Sequence, residues 1–234
     1  MADSNSNNGK LTLIHLANSS SQPVVWLLEE LGIDYELRAF DRKGTAVPEL
    51  KNTHPQGKAP QLILADGRVI TQLSAIVMHL INTYDKDHTF RGEENDPVHE
   101  EQLVCIGVSD LSGKVGAKFM FHAMAVMSPF FVRPLFNVAR SKINNLLFDP
   151  DIAAAFGVLD ADLGEKEWFL GGQAPSRADF VLHFYVDLAV QPKYISLEKF
   201  PNLKRWKSGC EARPAWKRSL EKGNGYDLDF PNQW

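Results

Sequence analysis

Four short polar residues in a row, Asn18-Ser19-Ser20-Ser21, stand between a strand-like stretch and a helix-like one. Hydroxyl and amide groups at such a junction do one of two things. They cap the helix, with Ser21 as the natural cap, or they join the N–H groups of the helix end in holding an anion. A second concentration of chemistry lies far along the chain. Phe119, Met120, Phe121, His122, Met124, Met127, Phe130 and Phe131 gather aromatic rings and adaptable thioethers. That set suits either an apolar ligand pocket or the core of a helical bundle. His122 reads as a base or as a satisfied histidine. Ser176 and Asp179 have capping-box spacing and are assigned to structure, not catalysis. The only cysteines, Cys105 and Cys210, exclude a disulfide framework and a cysteine-based zinc cluster. Both are expected as buried helical residues, and no metal site is expected.

The elements that must position these groups follow from periodicity. Lys10–His15 reads as a strand, and Val24, Val25, Leu27, Leu28 and Leu31 as a helix with Glu29 and Glu30 on its wet side and Gly32 at its end. Ile33–Leu37 alternates as a second strand, and a weak helix runs to about Asn52. His54–Pro60 is a loop by its two prolines and glycine. Gln61–Leu64 and Val69–Ile70 form a hairpin around Asp66-Gly67, and a helix covers about 72–84. The order is β-α-β and then α-β-β-α. Beyond a charged, turn-rich stretch no alternation survives, and helical patterns cover about 98–127, 130–147, 150–164, 176–190 and 200–220. The expected organisation is a tail over 1–9, an α/β domain over 10–87, a linker over 88–97, an all-α domain over 98–225 and a second tail over 226–234. The 234 residues carry 25 Lys+Arg against 29 Asp+Glu, a net charge of −4 that offers no footprint for nucleic acid. At 44% hydrophobic the chain can form a core, yet it has no apolar run of membrane-spanning length. With no secretory leader evident, a reducing, cytoplasmic setting is expected.

Several of these segments resemble the cytosolic glutathione transferases, in particular the serine-type branch of bacteria and fungi. The segments are His15–Gln22 with Trp26–Gly32, His54–Pro60, Ile70–Ile76 and Gly171–Asp179, in the family's order. The resemblance implies a thioredoxin-like N-terminal domain, an all-α C-terminal domain, a homodimer and glutathione as co-substrate. It places the catalytic hydroxyl on Ser19, donating to the glutathione sulfur so that the thiol ionises, with Asn18 as a neighbouring donor. It implies a cis bond at Ala59-Pro60, a turn that an X-Pro bond adopts at a cost of only about 0.5–1 kcal/mol. The backbone of Ala59 would pair with the cysteinyl unit, and Lys58 would meet the glycyl carboxylate or stay solvated. Gln72 and Leu73 would hold the γ-glutamyl end. A pocket with Phe119, Met120, His122 and Met124 would receive a hydrophobic acceptor between the domains. No cysteine lies in the first domain, which excludes a mixed-disulfide mechanism there.

This chain departs from the family at three places. Leu73 stands where a serine is usual, and Ser20 and Pro23 stand where arginines are common. A lost hydrogen bond to a charged group is worth about 1.5–3 kcal/mol, which weakens glutathione binding without abolishing it. Three functions compete. The first is conjugation of glutathione to an electrophile. The second is glutathione-dependent cis–trans isomerisation by reversible addition to a conjugated alkene, in a specialised-metabolite pathway. The third is a non-catalytic binding module on the same fold.

Overall fold

The strand that opens the chain, β1 (Thr12–Leu16), is buried along its whole length. In the computed structural model, which describes residues 10–42, 47–94 and 96–229, it is the second strand of a four-stranded sheet of order β2-β1-β3-β4. β2 (Glu36–Phe40) runs parallel to β1, pairing Leu13 with Leu37. β3 (Gln61–Ile63) runs antiparallel to β1, pairing Ile14 with Gln61, and antiparallel to β4 (Val69–Thr71), pairing Gln61 with Thr71. This mixed sheet with its helices is the expected thioredoxin-like arrangement. The parallel pairing starts β2 at Glu36, later than the alternation at Ile33 suggests, because residues 33–35 serve as the connection from Gly32. The expected weak helix is a single 3₁₀ stretch at Pro48–Asn52.

α1 (Gln22–Leu31) ends at Gly32, whose φ of 62° favours a residue without a side chain. α2 (Leu73–Tyr84) buries Leu73, Ile76, Val77, Leu80 and Ile81, one stripe at helical spacing. The chain divides into two compact units. Of the described residues, one holds those through Arg91 together with Glu211–Tyr226; the other holds those of Gly92–Cys210 and of 227–229. The helical segment expected over 200–220 is therefore two helices, α8 (Pro201–Ala212) and α9 (Pro214–Lys222). Pro214 has no N–H to continue α8, and it leaves Arg213 extended at φ −63°, ψ 135°. α9 then packs within the first unit, against α1.

That packing overturns a second expectation. Glu29 and Glu30 do not face water: their side chains are only 7% and 9% exposed, and they pair with α9 and with Arg213 just before it. Glu30 takes Arg213, while Glu29 takes Arg218, Lys222 and the Tyr35 hydroxyl. Trp26 meets Trp216 edge-on at 5.5 Å, and Trp216 meets Tyr226 at 5.4 Å.

In the second unit α3 (Pro97–Cys105) opens on Asp96, which accepts from Val98 and His99 N–H. A π-helical turn at Ile106–Leu111 joins it to α4 (Ser112–Met127). α5 (Arg133–Ile143) passes through a second π-helical turn into α6 (Asp149–Leu163). α7 (Arg177–Val190) is the most enclosed, with ten buried residues from Ala178 to Ala189. At Gly107 a Cβ would stand 2.8 Å from the Tyr185 ring, so glycine lets the first π-helical turn approach α7. The structural role expected for Ser176 and Asp179 is explicit. Asp179 is fully buried and accepts from Ser176 N (2.7 Å), Ser176 Oγ (2.6 Å), Phe169 N (3.1 Å) and Trp206 Nε1 (2.7 Å). Cys210 is buried as expected, whereas Cys105 is exposed at the end of α3, whose inward positions are Leu103 and Val104. The expected tail over 1–9, and residues 230–234 of the tail expected over 226–234, lie outside the described residues. Among the described residues no helix is long and apolar enough to cross a membrane.

Burial works to raise the Glu29 carboxyl, and the Lys222, Tyr35 and Arg218 contacts outweigh it, holding its pKa below the usual range. Glu29→Gln is expected to cost about 1 kcal/mol of unfolding free energy at neutral pH, read by urea denaturation. Because the folded pKa is the lower one, that stabilisation is complete above the ordinary carboxylate pKa and fades as pH falls through Glu29's own. Wild type and variant should converge in acid; equal stability at pH 7 would contradict the assignment.

Candidate functional site

Register decides which loops of the first unit meet. Ile14, Gln61 and Thr71 lie in one row across three strands. The residues just past β1, just before β3 and just past β4 therefore share one end of the sheet. These are the Asn18–Ser21 loop, Lys58-Ala59-Pro60 and Gln72. β2 runs parallel to β1, so the residues beyond Phe40 come to the same end.

The Asn18–Ser21 loop is held from both sides. Asn18 sits in the left-handed region at φ 55°, and its N–H donates to Gly225 O at 3.0 Å. The Arg42 guanidinium donates to Asn18 O at 3.0 Å. Ser19 is 6% exposed, and its Oγ lies 2.7 Å from Leu16 O, to which it donates, and 2.7 Å from Ser21 Oγ. Ser21 stands at the cap position but makes no side-chain cap bond. Its hydroxyl turns back to β1, accepting from Leu16 N at 3.1 Å and lying 2.9 Å from His15 Nδ1. The cap reading of Ser21 is corrected accordingly: its oxygen is filled by the strand before the helix can use it.

The helix end offers less to an anion than the junction suggested. Ser21 N–H donates to Ser19 Oγ (3.2 Å), Gln22 N–H to Ser19 O (3.2 Å) and Val24 N–H to Ser21 O (3.2 Å), while Pro23 has no N–H. The Ser19 hydroxyl and the Asn18 amide thus gain weight as donors over the helix terminus. Beneath them His15 is fully buried. Burial, outweighing its contacts with Asn224 and Ser21, lowers its pKa to about 4, so the imidazole is neutral at physiological pH.

The Ala59-Pro60 bond is cis, as expected. Gln61 pins this turn: its Nε2 donates to Lys58 O at 2.8 Å and to Leu50 O at 3.0 Å. Lys58 is exposed, Ala59 is half-buried and Pro60 is buried. Gln72 is exposed and holds φ 74°, ψ 126°, a conformation that non-glycine residues adopt mainly where function requires it. Leu73 turns its side chain into the core at 4% exposure, so it can offer only its backbone N–H. The first intrahelical bond of α2 runs from Ile76 N to Gln72 O. The N–H groups of Leu73 and Ala75 are donors that α2 itself does not use.

Phe119, Met120, His122 and Met124 all lie on α4, in the second unit. They are not bundle core. Met120, Met124 and Met127, at helical spacing, are 65%, 47% and 73% exposed, and Phe130 and Phe131 continue the apolar surface. Phe119 and His122 are half-buried, and Arg140 of α5 donates to His122 Nδ1. That bond makes Nδ1 an acceptor and His122 a poor candidate for a base. Sequence reasoning missed His15, Arg42, Gln61, Arg140 and the Gly223–Tyr226 segment. Only Gln61 carried a local signal, as a polar residue at a buried strand position beside the proline loop.

Comparison with known proteins gives one consistent family. The family model "Glutathione S-transferase, N-terminal domain" matches residues 19–83, and "Glutathione S-transferase, C-terminal domain" matches residues 119–214. Glutathione S-transferase 3 of Schizosaccharomyces pombe is 29% identical over 216 residues, covering 91% of this chain and 87% of the relative. A crystal structure of a glutathione S-transferase from Actinobacillus pleuropneumoniae superposes with a TM-score of 0.71 at 28% identity, covering 96% of each chain. Ure2p5 of Phanerochaete chrysosporium shares the fold with a TM-score of 0.68 at 23% identity, covering 91% of this chain and 94% of that one; it was cocrystallised with 1-(S-glutathionyl)-2,4-dinitrobenzene.

Gln61→Leu removes both bonds that hold the proline turn and leaves two carbonyls without their donor. The expected result is a loss of about 1–3 kcal/mol in stability, read by denaturant unfolding, with faster amide exchange at residues 57–59. Unchanged exchange there would show that Gln61 does not pin the turn.

Proposed function

Because the chain belongs to the glutathione S-transferase family, we propose that it binds glutathione at this end of the sheet and activates the sulfur with the Ser19 hydroxyl. The observation that carries the reading is the shared row of Ile14, Gln61 and Thr71, which brings the Ser19 loop, the cis-proline turn and Gln72 together. In this reading the cysteinyl backbone pairs with Ala59, Lys58 meets the glycyl carboxylate, and Gln72 with the Leu73 N–H holds the γ-glutamyl end. The Ser19 proton leaves Leu16 O and donates to sulfur. That hydrogen bond favours the anion over the thiol, lowers the thiol pKa and releases its proton to solvent. The thiolate then attacks an electrophilic carbon, forming a C–S bond while a leaving group departs or an alkene takes up a proton. The apolar surface of Met120 and Met124, with Phe119 and His122, is the proposed acceptor side. Arg140 beside His122 suits an acceptor with a polar or anionic end. We assign the protein to the cytoplasm as a homodimer, for which sedimentation at micromolar concentration is the test.

The burial of Leu73 favours a second reading. A site that lacks the usual hydroxyl binds glutathione less tightly, and a cycle that returns glutathione unchanged tolerates this better than one that consumes it. Reversible addition to a conjugated alkene, rotation about the resulting single bond and expulsion of the thiolate is such a cycle.

Ser19→Ala is expected to lower kcat at least roughly tenfold with a conjugated electrophile. Unchanged turnover would move the role to Asn18. Product mass separates the two readings, since an adduct gains the tripeptide and an isomer gains nothing. Failure of the wild type to bind glutathione at millimolar concentration would contradict both.

A further inference from the structure

Fourteen large apolar side chains are exposed among the described residues, and nine of them lie from Met120 to Leu147. Single exposed apolar residues are ordinary on a folded protein, whereas a concentration of them marks a surface that meets something. Its centre is the hairpin that α4 and α5 form by packing together. Met127 at the end of α4, Phe130 and Phe131 in the turn, and Leu135 and Val138 on α5 are 67–81% exposed. α5 has no buried residue. Phe136, Arg140 and Ile143, at helical spacing, are its half-buried side, so Leu135, Val138 and Lys142 share the outward one.

The charges of this region have one sign. From Leu111 to Phe148 the chain has five Lys and Arg residues and no Asp or Glu, although over the whole chain acids outnumber bases 29 to 25. Lys114 pairs with Asp110 and Asp151, and Lys118 with Asp149, all outside that stretch. Arg133, Arg140 and Lys142 have no carboxylate partner among the described residues: Arg133 donates to Ser128 O and Arg140 to His122 Nδ1. A second copy of the chain pairing through this same face would set these cations against their own counterparts, with no acid on either side to meet them.

The turn of the hairpin also uses its own polar groups. Ser128 Oγ donates to Met124 O at 2.6 Å, Arg133 Nε to Ser128 O at 2.8 Å, Val132 N–H to Pro129 O at 3.0 Å and Phe136 N–H to Val132 O at 3.2 Å. Pro129 and Pro134 have no N–H to leave without a partner. Carbonyls satisfied within the hairpin are what entry into hydrocarbon requires, because lipid chains supply no donor.

We propose that the tip of the α4–α5 hairpin docks on an anionic lipid bilayer, with Phe130, Phe131 and Leu135 entering the boundary of headgroups and acyl chains and Arg133 and Lys142 meeting the anionic headgroups. The hairpin lies on the bilayer and does not cross it, since α4 and α5 have 16 and 11 residues and a span needs about 20. Apolar burial and charge act together here, so binding depends on both.

The test uses the full chain and needs no glutathione, so its outcome is independent of the proposed conjugation. The protein is sedimented with vesicles of phosphatidylserine and phosphatidylcholine, and with vesicles of phosphatidylcholine alone. Wild type is expected to partition at least fivefold (roughly) more strongly onto the anionic vesicles, and about 0.5 M NaCl should remove most of that preference. Phe130→Ser with Phe131→Ser should lower partitioning about tenfold, and Leu135→Ser, at an equally exposed position, about threefold if the double variant does not fold. Lys142→Gln should weaken binding about threefold on anionic vesicles and leave binding to phosphatidylcholine unchanged. Wild type that shows no preference for the anionic vesicles, or folded apolar variants that partition as wild type does, overturns the proposal. So does a double variant that, without vesicles, sediments as a smaller particle than wild type, because the face would then be a contact between subunits.

Discussion

β1 has neither a free edge nor an exposed face: β2 pairs with it on one side, β3 on the other, and all five of its residues are buried. Shifting its register by one residue would exchange the residues packed on its two buried faces, setting Thr12, Ile14 and Leu16 where Leu13 and His15 now pack. That constraint fixes where β1 ends, and therefore where the loop after it turns. The residues that follow inherit their positions from it, Ser19 and Ser21 by folding back onto Leu16 and His15. Because β3 is antiparallel and β4 antiparallel again, the proline turn and Gln72 emerge at the same end. The candidate site is a property of the sheet's register before it is a property of any side chain.

A second constraint holds α1 behind that loop. Its first seven residues are buried, and its two glutamates are neutralised by Arg213, Arg218 and Lys222 of the final helical segment. Gln22, the first residue of α1, donates to Ser219 Oγ at 3.0 Å, and Asn18 N–H reaches Gly225 O. The last described part of the first unit thus helps to hold the loop that opens it. Ion pairs of this kind contribute modestly one by one. Here they add to the burial of Trp26 against Trp216, so one helix is set by both apolar and charged contacts.

What could be read from the sequence was whatever has a short period or a local chemical reason. Alternation located the strands to within a few residues, the stripe from Leu73 to Ile81 located α2, and Gly32 located the end of α1. The capping pair Ser176 and Asp179 was legible as structure because its spacing is three residues. Contacts across large sequence separation were not legible. Pro214 is visible as a break, but nothing near it says that the following helix packs on Trp26. Ser21 looked like a cap because caps are local, whereas its partners belong to the preceding strand. Arg42 enters the site through the parallel register of β2, and Gln61 pins the proline turn through a carbonyl at Leu50, eleven residues away. The methionines of α4 could be read as apolar and adaptable, but a one-dimensional pattern does not say which side of a helix stays uncovered.

The most direct test of the account is a crystal structure of this chain with glutathione bound. The account predicts the cysteinyl backbone paired with Ala59 and the sulfur within hydrogen-bond reach of Ser19 Oγ, with the Ser19 hydroxyl drawn away from Leu16 O. Glutathione bound elsewhere, or bound at this end of the sheet with its sulfur on another donor while Ser19 still serves Leu16 O, would contradict it.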